Sequence, residues 1–253
     1  MGLDLTKMRA KYQKLRSKGG GNKDIFWRPQ DGEQTIRILP TPDGDPFKEY
    51  WFHYNLGKNP GFLSPKKNFG ESDPLDSFIR QLFDEGSEDS IKMAKNLMAR
   101  QRFFSPVLVR GEEDKGVRLW GYGKTVYETL LGLVLNPDYG DITDPTEGTD
   151  LTLVYGKPPG AQFPQTKLQP RRKTSPISPD SAMMGEVMQT EIDWDGVFTK
   201  KSSEEVQVML DEWLGSDDAT DSGEEVVKYD SASKADSGTG ASAVEAAFKD
   251  LMS

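Results

Sequence analysis

Leu5, Met8, Tyr12 and Leu15 recur at steps of three and four, the spacing of one helix face. Lys7, Lys11, Lys14 and Lys18 form a basic stripe beside them, and Gly19-Gly20-Gly21 predicts a hinge. The period then shortens to two. Residues 24–28 are short and aromatic. Residues 35–39 alternate, with Ile36 and Ile38 on one face and Thr35, Arg37 and Leu39 on the other. Residues 47–54 are extended and rich in rings (Phe47, Tyr50, Trp51, Phe52, Tyr54), after a turn marked by Pro40, Pro42, Gly44 and Pro46. Residues 55–73 read as loop. Asp73 caps a helix opened by Pro74 and closed at Gly86. Ser87 caps another, with Glu88 and Asp89 in its first turn and Lys95 and Arg100 toward its end, as the helix dipole favours. Residues 102–110 and 117–122 predict a hairpin around a polar turn at 111–116. Then follow a short apolar helix over 125–135, a strand over 151–155, and a strand or ordered loop over 163–173. Ser202 or Ser203 caps a last helix ending near Gly215, with Val206, Met209, Leu210 and Trp213 as its apolar stripe.

Charge divides this pattern into three parts. Residues 1–23 hold seven Lys/Arg and one Asp, a net of +6, and residues 216–253 hold nine Asp/Glu and three Lys, a net of −6. The chain as a whole carries −9. The reading is a basic arm at 1–23, a core at 24–215 with an inserted subdomain at about 55–101, and a disordered acidic tail at 216–253, whose composition buries too little apolar area to offset ordering. The tail ends in a small amphipathic stretch, residues 244–252, suited either to docking or to solubility alone. The 253 residues contain no cysteine, which excludes disulfides and thiolate metal sites and fits a reducing compartment. No apolar run has membrane-spanning length, so no membrane partner is expected.

Catalytic patterns are absent. There is one histidine, His53, and no GxSxG, GxxxxGK[ST] or HExxH motif. What is present is an interleaving of cations and rings: Arg100, Arg102, Phe103 and Phe104 in one strand, then Arg118, Trp120, Tyr122, Lys124 and Tyr127, with Arg37 upstream. Unpaired bases stack on flat rings while Lys and Arg follow the phosphates. A β-sheet core also collects aromatics. Alternation places Trp120 and Tyr122 on the same side as Arg118, opposite Val117 and Leu119, which favours an exposed groove. The expected fold class is mixed and mainly β, an OB-fold-like antiparallel barrel with a small helical and loop subdomain and flexible termini.

The residues also carry a resemblance. Residues 140–154, Gly-Asp-Ile-Thr-Asp-Pro-Thr-Glu-Gly-Thr-Asp-Leu-Thr-Leu-Val, resemble a D-x-T-x-P-x-E-G turn and apolar strand of the single-stranded DNA-binding, helix-destabilising proteins of T-even-like tailed phages. Residues 35–40 resemble that family's Ile-Arg strand ending in Leu-Pro, 102–109 its basic-aromatic strand, 117–124 its return strand ending Gly-Lys, and 203–205 the start of its last core helix. The resemblance implies an OB-fold protein that binds single-stranded DNA cooperatively and without sequence preference in phage replication, recombination and repair, in the cytoplasm of an infected bacterium. It implies a groove lined by Arg37, Arg100, Arg102, Phe103, Phe104, Trp120, Tyr122, Lys124 and Phe163. Arg118 joins them from the strand pattern. It also implies that the arm contacts neighbouring copies, here through Lys7, Lys11, Lys14, Arg16 and Lys18, and that the tail competes with DNA and recruits replication and recombination proteins. The arm's Lys/Arg-Ser/Thr cluster is displaced here to residues 14–18.

The family's type member holds structural zinc through one histidine and three cysteines. Here His53 aligns with the histidine, Ser64 with the first cysteine, and Asp73 and Asp76 with the other two. Such a set is a weak zinc site without thiolates, and the expectation is no zinc and no other cofactor. Two rival readings are an acidic interaction adaptor or DNA mimic, which predicts no salt-dependent affinity for oligonucleotides, and a metal-dependent nuclease, which predicts strand cleavage with magnesium.

Overall fold

The alternating residues at 35–39 lie in the second of eight strands: Phe26–Trp27 (β1), Gly32–Ile38 (β2), Lys48–His53 (β3), Phe62–Leu63 (β4), Arg100–Val109 (β5), Arg118–Tyr122 (β6), Thr149–Gly156 (β7) and Gln165–Thr174 (β8). Six helices accompany them among the described residues: Pro65–Phe69 (α1), Pro74–Glu85 (α2), Glu88–Leu97 (α3), Lys124–Val134 (α4), Ser181–Met188 (α5) and Ser203–Leu214 (α6). The computed structural model describes residues 25–216. The arm with Lys7, Lys11, Lys14, Arg16 and Lys18, and the tail beyond Ser216, lie outside the described residues. The strands form a mixed sheet that is not closed, hydrogen-bonded in the order β1-β6-β5-β2-β7-β8, with β3 and β4 paired off this path. Only the short β1–β6 pair on that path is parallel. The architecture is mainly β with a helical part, in keeping with the expected OB-like fold.

The described chain separates into two units. The first holds residues 25–49 and 102–192. Its main core joins Ile36 and Ile38 of β2, Phe103, Val107 and Val109 of β5, Trp120 and Tyr122 of β6, Leu151 and Leu153 of β7, and Leu130 of α4. A second cluster of Leu39, Leu108, Ile177 and Val187 places residues from the 175–188 segment on the opposite face of β5. Strands covered on both faces lose the polar-out half of their alternation. β8 hydrogen-bonds only to β7 among the described strands, so it forms an edge.

The second unit holds residues 50–101 and 193–216. Its core gathers Leu75, Ile79 and Leu82 of α2, Ala94 and Leu97 of α3, and Val206, Leu210 and Trp213 of α6 around Leu56 and Phe62. Each such large apolar side chain contributes about 1.5–3 kcal/mol on burial. The caps match their sequence signals. Asp73 accepts from the Asp76 amide, Gly86 ends α2 at φ +74°, and Ser202 forms a capping box with Glu205. The loop expected at 55–73 contains β4 and α1, whose start is capped by Ser64 and whose end is capped by Gly70 at φ +70°. These elements are too short to leave a periodic signal.

Candidate nucleic-acid interface

Four of the five rings expected in an exposed groove are sealed in the first unit. Phe103, Phe104, Trp120 and Tyr122 are all buried, Trp120 at 1% exposure. Phe103 stacks on Tyr127 with centroids 3.8 Å apart, Trp120 meets Trp27 edge to face at 6.1 Å, and Phe104 meets Phe26 in the same manner. The Tyr122 hydroxyl lies 2.6 Å from Ser105 Oγ, and burial raises its pKa. In this structure no base can stack on these rings, which corrects the groove expectation for Phe103, Phe104, Trp120 and Tyr122. Arg118 shares the face of Trp120 and Tyr122 without exposing it, because it sits at the start of β6, on the rim of the core face. Its stem is buried with the rings while Nη2 bonds Glu112 at 2.6 Å.

Arg37 is also a core residue and not a groove residue. Its side chain is fully buried, with Nε donating to Asp150 Oδ1 at 2.8 Å and Nη2 donating to the carbonyls of Gly148 and Ser175, each at 2.8 Å. Nη1 reaches the Asp144 carbonyl at 3.3 Å. Arg110 binds the same carboxylate, at 3.1 Å from Oδ2 and 3.0 Å from Oδ1, and donates to the carbonyls of Pro176 and Ile177. Burial lowers the Arg37 pKa, Asp150 raises it, and Arg110 lowers it again, with a net fall. Glycine is required at 148. A Cβ there would stand 2.4 Å from the Asp144 carbonyl oxygen and 2.8 Å from Arg37 Nη1.

A cleft of about 430 Å³ opens beside β1, lined by Arg28, Glu33, Arg110, Glu112, Lys115 and Arg118 among others. Its charges are largely spent internally: Arg110 on Asp150, and both Arg118 and Lys115 on Glu112. It does not offer a polyanion an uninterrupted positive surface.

The free cationic surface lies elsewhere in this unit. Between Leu151 and Pro179 the chain carries Lys157, Lys167, Arg171, Arg172 and Lys173 and no carboxylate, in a protein whose net charge is −9. Of the residues expected in the groove, this run contains Phe163. All five cations are exposed, and none forms an ion pair among the described residues. The register sets Lys167 opposite Val154 and Gln169 opposite Thr152, while Leu168 faces Leu153 of the core. The connecting loop is a type II turn, with Pro159 fixing the first corner, Gly160 at φ +79° and Ala161 N–H donating to Pro158 at 3.0 Å. It presents Phe163, which is 55% exposed. Of the remaining expected groove residues in this unit, Lys124 is exposed on α4 within 3.7 Å of Glu128, and Arg102 is half-buried. Arg100 belongs to the second unit and is half-buried there.

The metal candidates of the second unit are satisfied by one another. His53 is fully buried. Its Nε2 lies 3.0 Å from Asp73 Oδ2 and its Nδ1 lies 3.0 Å from the Leu97 carbonyl. The Ser64 hydroxyl donates to the same Asp73 oxygen at 2.7 Å. Burial pushes the Asp73 carboxyl up, but His53, Ser64 and the Asp76 amide outweigh it and hold it below its ordinary value. Asp76 turns to Lys66 and Arg80. Among the described residues no three His, Asp or Glu side chains form a metal cluster. The donors do not fit zinc, because the histidine nitrogen and the carboxylate occupy each other and the fourth candidate faces two cations.

A family model described as gp32 DNA binding protein like matches residues 30–214. No curated protein matches the chain.

Replacing Arg37 by Met strips Asp150 of one partner and leaves the Gly148 and Ser175 carbonyls without their donor. The expected loss is about 3–5 kcal/mol in denaturant unfolding, whereas Lys167→Ala or Arg171→Ala should change stability by no more than about 0.5 kcal/mol. Equal, small effects at all three sites would refute the buried-clamp assignment.

Proposed function

The chain belongs to the gp32-like family of DNA-binding proteins, and from that premise we propose that it coats single-stranded DNA cooperatively and without sequence preference during phage replication, recombination and repair. The observation that carries this reading is the 151–179 segment of the β7–β8 hairpin and the residues after it, with five cations that form no ion pair among the described residues, no carboxylate and an exposed Phe163. Cations along an edge strand follow a phosphate backbone, and a ring at its loop stacks on a base of any identity. The family is one of DNA binders, and we read the chain as non-catalytic. No helix among the described residues is long and apolar enough to cross a membrane, and the proposed setting is the cytoplasm of an infected bacterium.

The termini extend the proposal. The +6 arm, with Lys7, Lys11, Lys14, Arg16 and Lys18, would contact the next copy on the strand. The −6 tail would compete with DNA for the cations and meet replication and recombination proteins. The subdomain around His53 is proposed to be metal-free, with the helix N-cap Asp73 bonded both to His53 and to the hydroxyl of the other N-cap, Ser64.

Titration of poly-dT at several salt concentrations tests the reading. With about five phosphates neutralised, log affinity should fall against log salt with a slope of roughly −3.5. The double variant Lys167→Ala/Arg171→Ala should flatten the slope by about 1.4. Removing residues 217–253 should tighten binding most at low salt, where screening is weakest. Salt-independent or absent binding would defeat the proposal.

The metal-free proposal has its own check. Purified protein should carry no stoichiometric zinc, and a chelator should leave its melting temperature unchanged. One tightly held zinc per chain would overturn it.

A further inference from the structure

In the second unit, two aromatic rings each have a lysine ammonium standing over them. Lys67 Nζ lies 5.4 Å from the Trp51 ring centroid, and Lys200 Nζ lies 4.5 Å from that of Phe69. Local structure brings them together. Ser64 caps α1, and Asn68 on that helix clasps β3: its Oδ1 accepts the Trp51 N–H at 2.9 Å and its Nδ2 donates to the Trp51 carbonyl at 2.7 Å. Lys67 and Phe69 flank Asn68, so both ring–lysine pairs sit at one helix–strand junction. Phe69 is 42% exposed, an unusual position for a phenylalanine beside a well-filled core. Trp51 is half-buried, and Lys66, Lys67 and Lys200 are exposed.

We infer that this junction is a second single-strand contact, in which bases stack on Trp51 and Phe69 and the displaced lysines take the neighbouring phosphates. The inference rests on the single-strand reading above and adds a surface that the groove expectation did not include. An exposed cation–π contact is weaker than base stacking on the same ring, so the exchange is favourable. The displaced ammonium gains a phosphate, which an uncharged apolar partner would not supply. Lys200 is shared with Glu71, so a strand must also compete with that carboxylate, and the Phe69 contact should strengthen as Glu71 is removed.

Fluorescence gives this a distinct readout. Of the five tryptophans, Trp27, Trp120 and Trp213 are buried, while Trp51 and Trp194 are half-buried. Poly-dT titrations of the full chain should show quenching that Trp51→Phe largely abolishes while affinity stays within about twofold, since the ring remains. Trp194→Phe should keep the quenching. Trp51→Ala should weaken binding about tenfold. Lys67→Glu, a surface change that spares the fold, should weaken it severalfold and lower the salt slope. Wild-type quenching in Trp51→Phe together with wild-type affinity in Lys67→Glu would overturn this inference alone, with the β8 variants still impaired. Absence of salt-dependent binding by the unmodified chain would bring down both readings. Loss of binding to an acidic protein fraction, with DNA binding intact in every variant, would reassign the junction to a protein partner and also overturn it.

Discussion

One carboxylate, Asp150, holds two arginines, and the first unit is organised around that bond. Arg37 comes from β2, Arg110 directly follows β5, and Asp150 comes from β7. The surplus positive charge is spread over the carbonyls of Asp144, Gly148, Ser175, Pro176 and Ile177. A buried ion pair recovers its desolvation cost only when its remaining donors are satisfied, and here the backbone satisfies them. The same bonds tie down both ends of the β7–β8 hairpin: the turn that enters β7 and the segment that leaves β8. The cations of β8 therefore stand on a fixed frame, although they themselves bond to nothing described.

This division explains which expectations succeeded. Helix ends were legible because capping is local: Asp73, Gly86, Ser87 and Ser202 declare themselves within a few residues. Strand positions were legible from Ile36, Ile38, Leu151 and Leu153, whose period of two survives even in a crowded sheet. The faces of β2, β5 and β6 were not legible. Alternation identifies a solvent side only when one exists, and here Leu39 and Leu108 are covered by Ile177 and Val187, forty or more residues away in sequence. Arg37 therefore looked like a groove cation and proved to be a clamp.

The stretch that carried the strongest resemblance has the same character. Asp144 accepts the amides of Thr146 and Glu147 and the Thr146 hydroxyl, shaping the turn, and Gly148 leaves space beneath Arg37. Its residues are explained by the receptacle they build. The groups on which the proposed binding rests fall instead in the least patterned parts of the chain. These are the Pro-Pro-Gly loop with Phe163, the cations of β8 and the short helix α1. No periodicity marks such residues. The absence of carboxylates between Leu151 and Pro179 does mark the loop and the β8 cations, though not α1.

The central claim is that DNA is held on the β7–β8 surface and not on the buried rings of β5 and β6. Photocrosslinking to an oligo-dT carrying 5-iodouracil, followed by mapping of the labelled peptides, tests it most directly. The account predicts adducts within residues 157–173, with Phe163 foremost, and none on Phe104, Trp120 or Tyr122. Labelling confined to those buried rings, with residues 157–173 untouched, would contradict it.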